Sequence, residues 1–137
     1  MKTMTLQLFY LIGKRPLWRG ALALSVVVIF MLATTSSPYP IPSAPSDKVN
    51  HLLAFLELTL LARLGWPRAR LAPVILALAS YGLAIELVQT QLEHRTFSVA
   101  DMLADAAGIG LGLLLWPILG RLQVHARHQR QKLRQRP

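Results

Sequence analysis

Four stretches of mainly apolar residues alternate with short polar or proline-containing segments along the chain. They cover residues 17–35, 49–64, 71–90 and 100–120, and the second is the shortest and carries Glu57. A helix needs about 20 predominantly apolar residues to cross the hydrocarbon core of a bilayer. The pattern therefore predicts an all-α fold, an integral membrane bundle of four transmembrane helices.

The segments around these stretches are too short or too polar to form a second domain. Residues 36–46 contain four prolines and predict an extended connection, residues 65–70 a tight turn, and residues 91–98 a polar loop. We expect three parts: residues 1–16 as an N-terminal segment, 17–120 as the membrane domain and 121–137 as a basic tail. The apolar residues 6–12 are too few to span and are predicted to lie at the membrane interface.

The distribution of positive charge predicts the orientation of the bundle. The chain is 53% hydrophobic and 15% charged, with a net charge of +9 and no cysteine. Thirteen of the 15 Lys and Arg residues lie in the two terminal flanks or close to residues 65–70. The positive-inside rule then places both termini in the cytoplasm. We expect membrane lipids as partners, with anionic head groups at the basic tail, and no nucleic acid. A cleaved signal peptide is the alternative interpretation of the first stretch.

Polar residues collect at the predicted outer ends of the second, third and fourth spans. Ionisable groups inside a membrane usually pair with one another or line a cavity. At 100° per residue, several of them share a helix face with small residues, Gly82 on the third span and Gly108 and Gly112 on the fourth, which are predicted to pack against neighbouring helices. The sequence therefore predicts an outward-open polar pocket formed by Asp47, Lys48, His51, Glu86, Gln89, Arg95, Asp101 and Asp105.

Several kinds of chemistry are open to this polar cluster. Arg95 and Lys48 could bind the anion of a ligand, and His51 could act as an acid–base group with a carboxylate such as Asp101. A divalent cation is a further option, although no compact metal-binding signature is present. The purely structural alternatives are that Ser98 and Asp101 form a helix cap and that the deeper acids only hold neighbouring helices together. Glu57 lies apart from the cluster and is expected to pair with the first span or to mark an oligomer contact.

Three motifs in this region resemble the VanZ-like family of small bacterial membrane proteins. They are "DKVNHLLAF" at 47–55, "IELVQ" at 85–89 and "RTFSVADMLADAAGIGLG" at 95–112. The resemblance implies a multi-pass protein of the bacterial inner membrane and cell envelope, in a family whose founding member is associated with resistance to the glycopeptide antibiotic teicoplanin. The family usually has Asn where this chain has Asp105.

Together these observations favour a binding protein over an enzyme. We expect a lipid-linked or cell-wall ligand, such as a cell-wall precursor, in the outer polar pocket, with a link to the glycopeptide-antibiotic response implied by the resemblance. The alternatives are a membrane enzyme that uses His51 with a carboxylate, and a structural protein whose polar cluster only locks the helices. No cofactor is expected.

Overall fold

A computed structural model describes residues 14–35, 47–92 and 95–134, and the side chains of the last turns only in part. Within these ranges every regular element is a helix, in agreement with the predicted all-α fold. The helices are α1 (Arg15–Thr34), α2 (Asp47–Gly65), α3 (Leu71–Gln89) and α4 (Val99–Arg134). The predictions for residues 6–12 and 36–46 fall outside the described residues.

The helix ends follow from local sequence. Pro16 lies in the first turn of α1, where its missing N–H costs no helical hydrogen bond. Ser98 caps α4, since its hydroxyl accepts a hydrogen bond from the backbone N–H of Asp101 at 3.2 Å. This is half of the capping box that the spacing of these two residues suggested.

The fourth helix is longer than the fourth predicted span. It continues past residue 120 to Arg134, with Pro117 inside it, so most of the segment predicted as a separate basic tail is helical. The reason is that hydropathy marks where a helix leaves the membrane and says nothing of where the helix ends. Residues 121–134 contain no Gly or Pro and are rich in good helix formers such as Arg, Leu and Gln.

Helix α2 is the centre of the bundle. It packs most extensively against α4 and next against α1, and its buried residues include Phe55, Leu58 and Thr59. The close approach to α4 depends on glycines, because a Cβ added at Gly108 would lie only 2.9 Å from the backbone nitrogen of Leu56. A Cβ added at Gly112 would lie 2.6 Å from Cβ of Thr59.

The outer surfaces of the other helices are strongly apolar. Leu24, Leu32, Leu76 and Leu114 are each at least 66% exposed. Three described helices are long and apolar enough to cross a membrane: α1, α3 and the part of α4 from Val99 to His125. The stretch predicted as the second span, α2, forms a helix but is not among them, because it carries the charged residues Asp47, Lys48, Glu57 and Arg63.

Candidate functional site

His51 and Asp105 form the centre of the predicted polar cluster. His51 lies one turn into α2 and Asp105 in the second turn of α4, where the close helix packing brings them together. The Nδ1 atom of His51 lies 2.8 Å from Oδ1 of Asp105, and both side chains are buried. Because a carboxylate oxygen only accepts, Nδ1 carries the hydrogen of this bond, and Nε2 lies on the opposite side of the ring.

Glu86 approaches the same imidazole from α3. Its Oε1 atom lies 4.0 Å from Nε2 of His51, and the residue is 0% exposed. Its Oε2 atom accepts a hydrogen bond of 2.8 Å from the backbone N–H of Ser98. This bond ties the last turn of α3 to the segment that begins α4.

Asp101 completes the group from the first turn of α4. One ligand atom each from His51, Glu86 and Asp101 lie within 4.8 Å of one another. Oxygens Oε1 of Glu86, Oδ1 of Asp101 and Oδ2 of Asp105 are buried and have no hydrogen-bond partner among the described residues. A buried polar atom without a partner costs free energy, so these three oxygens are the chemically unexplained feature of the site.

A glycine on α3 leaves room for the inner carboxylate. A Cβ added at Gly82 would lie 2.5 Å from Oδ2 of Asp105 and 3.1 Å from Cζ of Phe55. Gly82, predicted as a packing position on the third span, thus lies against both the acid and the core. Any larger residue at this position would push Asp105 away from its place beside His51.

Of the remaining predicted site residues, Asp47, Lys48 and Arg95 lie nearer the surface, whereas Gln89 is buried. Asp47 and Arg95 form an ion pair with each other and not with the deeper acids, and their side chains are 50% and 36% exposed. Lys48 is exposed in the first turn of α2. Gln89 points to α1, where its amide donates to the carbonyl oxygen of Ala33 at 2.9 Å. The structure therefore separates an inner cluster, defined as His51, Glu86, Asp101 and Asp105, from an outer rim, defined as Asp47, Lys48 and Arg95.

A cavity of about 470 Å³ opens beside the inner cluster, between α1, α2 and α3. One part of its lining is polar and includes Asp47, His51 and Arg95, and the other is apolar and includes Ile29, Leu32 and Leu53. His51 is the inner-cluster residue that reaches the cavity wall; the three carboxylates of that cluster are not among its lining residues. The cavity thus combines a charged end with an apolar side.

Two further polar contacts lie outside the predicted cluster. The hydroxyl of Ser25 on α1 donates to Oε1 of Glu57 at 2.8 Å, which is the pairing with the first span considered above. At the opposite end of the bundle, the guanidinium of Arg63 donates to the carbonyl oxygens of Ala69 and Pro67 at 2.8 and 3.0 Å and lies over the ring of Trp116. An Arg that lies close to a tight turn, where backbone carbonyl oxygens need hydrogen-bond donors, is the signal that could have predicted the second contact.

The fold and the site define a small all-helical protein of membrane type with a buried carboxylate–histidine cluster. The chain belongs to the VanZ/LLP1 family, whose sequence profile matches residues 3–120. It is 33% identical over 101 residues to an uncharacterized protein of Schizosaccharomyces pombe. That alignment covers 71% of this chain and 62% of the yeast protein, so the chain spans less than two thirds of that relative. No solved structure matches the chain.

Proposed function

We propose that this VanZ/LLP1-family protein crosses the membrane four times, with α2 as the fourth crossing helix and both termini in the cytoplasm. Support comes from the apolar surfaces of α1, α3 and α4, which would cost free energy in water. α2 packs against all three of these helices, and its polar residues His51, Thr59 and Arg63 are buried. Glu57 of α2 is exposed and accepts a hydrogen bond from Ser25 of α1. The family resemblance favours the bacterial cytoplasmic membrane; the relative with 33% identity is a yeast protein.

The function that the geometry supports best is binding of a lipid-linked or cell-wall ligand in the cavity between α1, α2 and α3. The cavity beside His51 carries this proposal. Its volume of about 470 Å³ lies in the range of small-molecule sites, which are mostly apolar with a few polar groups that fix the ligand. A head group would contact the rim residues Asp47 and Arg95 while an acyl or isoprenoid chain follows the apolar side. The link to the glycopeptide-antibiotic response rests on the family resemblance and not on the cavity.

Native mass spectrometry of the protein from mild detergent tests this function. The expected result is a bound amphipathic molecule that is lost in Ala54→Phe, because Ala54 lines the cavity and the added ring would fill it. Ala77→Phe is the matched control, since Ala77 is exposed on α3 and does not line this cavity. Equal ligand occupancy in both variants would contradict the proposal.

An enzyme acting on the same ligand is the second candidate, and one observation favours it. The hydrogen bond between Nδ1 of His51 and Asp105 fixes the ring, as a carboxylate does for an acid–base histidine that exchanges a proton with its ligand through Nε2. Catalysis would appear as a change in the mass of the bound molecule over time that His51→Gln abolishes. If the mass stays constant while His51→Gln only weakens the fold, the cluster is structural.

We also propose that anionic phospholipids bind at the opposite end of the bundle. A cavity of about 830 Å³ there is lined by basic residues from three segments, and none of the described residues that line it is acidic. The residues that carry this proposal are Arg15, Arg68, Arg121, His125 and His128.

Lipid preference can be measured in nanodiscs of mixed composition. We expect phosphatidylglycerol to be enriched over phosphatidylcholine around the parent protein and less enriched around Arg68→Gln. Arg70→Gln is the matched control, because Arg70 is exposed two residues away and does not line the cavity. Equal losses in both variants would indicate a diffuse surface charge and no defined site.

A further inference from the structure

The inner cluster has more carboxylates than its surroundings balance. Glu86, Asp101 and Asp105 are each at most 7% exposed, and His51 is the only basic side chain that the described residues place in contact with them. Arg95, the nearest arginine in the sequence, pairs with Asp47 at the surface. Buried carboxylates without a cation are costly, so either protons or a bound cation must compensate the charge.

The unpartnered oxygens point to where a cation would lie. Oε1 of Glu86 and Oδ1 of Asp101 are buried and lack hydrogen-bond partners among the described residues. One carboxylate oxygen of each of these residues and one ring nitrogen of His51 lie within 4.8 Å of one another. Oε1 of Glu86 is 4.0 Å from Nε2 of His51, too far for a hydrogen bond but close to the separation of two ligands on one ion. At metal–ligand distances of about 2.1 Å, ligand atoms of a tetrahedral site lie about 3.4 Å apart.

The position of Asp105 strengthens this interpretation. Metal-binding histidines almost always donate their second ring N–H to a carboxylate or carbonyl oxygen, which fixes the tautomer and orients the ring. The Nδ1 atom of His51 makes such a bond to Asp105 at 2.8 Å, so that Nε2 faces Glu86. Three helices therefore supply the site. α2 provides the imidazole of His51, and α3 provides the carboxylate of Glu86. α4 provides the carboxylate of Asp101 and that of Asp105, which positions the imidazole.

We propose that His51, Glu86 and Asp101 bind a divalent transition-metal ion such as Zn²⁺, and that Asp105 is a positioning residue for His51. One imidazole and two carboxylates are a donor set that Zn²⁺ accepts, and a fourth position is left for water or a ligand. Two ionised carboxylates balance the charge of the ion. This site goes beyond the ligand cavity proposed above and does not depend on it, because Glu86 and Asp101 do not line that cavity.

Metal content and affinity of the full chain, purified without a histidine tag, test the proposal. We expect one Zn²⁺ per chain by mass spectrometry in the parent protein and binding weakened more than about tenfold in Glu86→Gln and in Asp101→Asn. Both substitutions keep the size of the side chain. Glu57→Gln is the matched control, since Glu57 is a carboxylate in the same bundle that is bonded to Ser25, and it should bind as the parent does.

Asp105→Asn separates positioning from ligation. The amide oxygen can still accept from Nδ1, so stoichiometry should stay the same while affinity falls by about 10–100-fold. Two results would overturn the proposal: a parent protein that binds no Zn²⁺, Mn²⁺, Co²⁺ or Ni²⁺, or Zn²⁺ that remains at full affinity in both Glu86→Gln and Asp101→Asn. The first would mean that shared protons neutralise the cluster, and the second that the ion is held elsewhere, for example by His125 and His128. Circular dichroism of each variant verifies that the helices are retained.

Discussion

Two glycines in α4 give a direct test of the packing that builds the site. Gly108 and Gly110 lie two residues apart and face opposite directions. A Cβ at Gly108 would clash with the carbonyl oxygen of Leu52 and lie 2.9 Å from the nitrogen of Leu56, whereas a Cβ at Gly110 meets nothing within 4 Å. Alanine should therefore separate α2 from α4 at the first position and be accepted at the second.

The magnitude follows from two opposing terms. Replacing Gly by Ala in a helix interior contributes up to about 1 kcal/mol of stability through helix propensity, and this gain applies to both positions. Overpacking costs about 1–3 kcal/mol, and it applies only at Gly108, where the obstacle is the backbone of α2. The difference in unfolding free energy between Gly108→Ala and Gly110→Ala thus isolates the overpacking term and should be about 1–3 kcal/mol.

Unfolding in mixed micelles of dodecyl maltoside and sodium dodecyl sulfate, followed by circular dichroism at 222 nm, measures this difference. Gly108→Ala should unfold at a lower fraction of dodecyl sulfate than the parent protein, and Gly110→Ala at the same or a higher fraction. If the two variants are equally stable, or if Gly110→Ala is the weaker one, the close contact of α4 with α2 described here is wrong.

Three further outcomes are expected. Gly82→Ala should displace Asp105 from His51, because the added Cβ would lie 2.5 Å from Oδ2 of Asp105. The ¹⁵N chemical shifts of the His51 imidazole would report the loss of its hydrogen bond to Asp105. Unchanged shifts would contradict this geometry. Glu57→Leu should lower the unfolding free energy by about 0.5–1.5 kcal/mol in the mixed-micelle assay through loss of the bond from Ser25, and Glu57→Gln should retain most of it. Arg63→Met leaves two turn carbonyls without their donor, so amide hydrogen exchange in residues 66–70 should accelerate, and unchanged exchange would show that the turn does not need the guanidinium.

Much of the fold could be predicted from sequence because lipid-facing helices carry their signal in composition alone. The predicted spans 17–35 and 71–90 differ from α1 and α3 by at most two residues at either end. The end of α4 could not be predicted in the same way. Its last turns leave the apolar stretch without meeting a helix-breaking residue, so the hydrophobic signal ended while the helix continued.

The sequence predicted which helix faces carry the site residues, but not which residues pair with each other. Helical periodicity placed Glu86, Asp101 and Asp105 on inward faces, and they are buried. It could not tell which cation each acid meets, because Arg95 lies before α4 begins, in a segment without helical geometry. Its side chain extends to Asp47 at the surface, which leaves His51 as the partner of the deeper acids.

The way the inner acids divide their oxygens argues against a purely structural clamp. Glu86 uses Oε2 to accept from the backbone of Ser98, and Asp105 uses Oδ1 to hold His51, so each already serves the fold with one oxygen. The second oxygen of each is buried without a partner among the described residues. A clamp selected only for stability would do as well with a Gln or an Asn, whose amide avoids the cost of a buried charge. Carboxylates at these positions are favoured where a cation or a proton binds the unpartnered oxygens. If a cation binds there, Glu86→Gln weakens metal binding. If a proton binds there, Glu86→Gln changes stability alone.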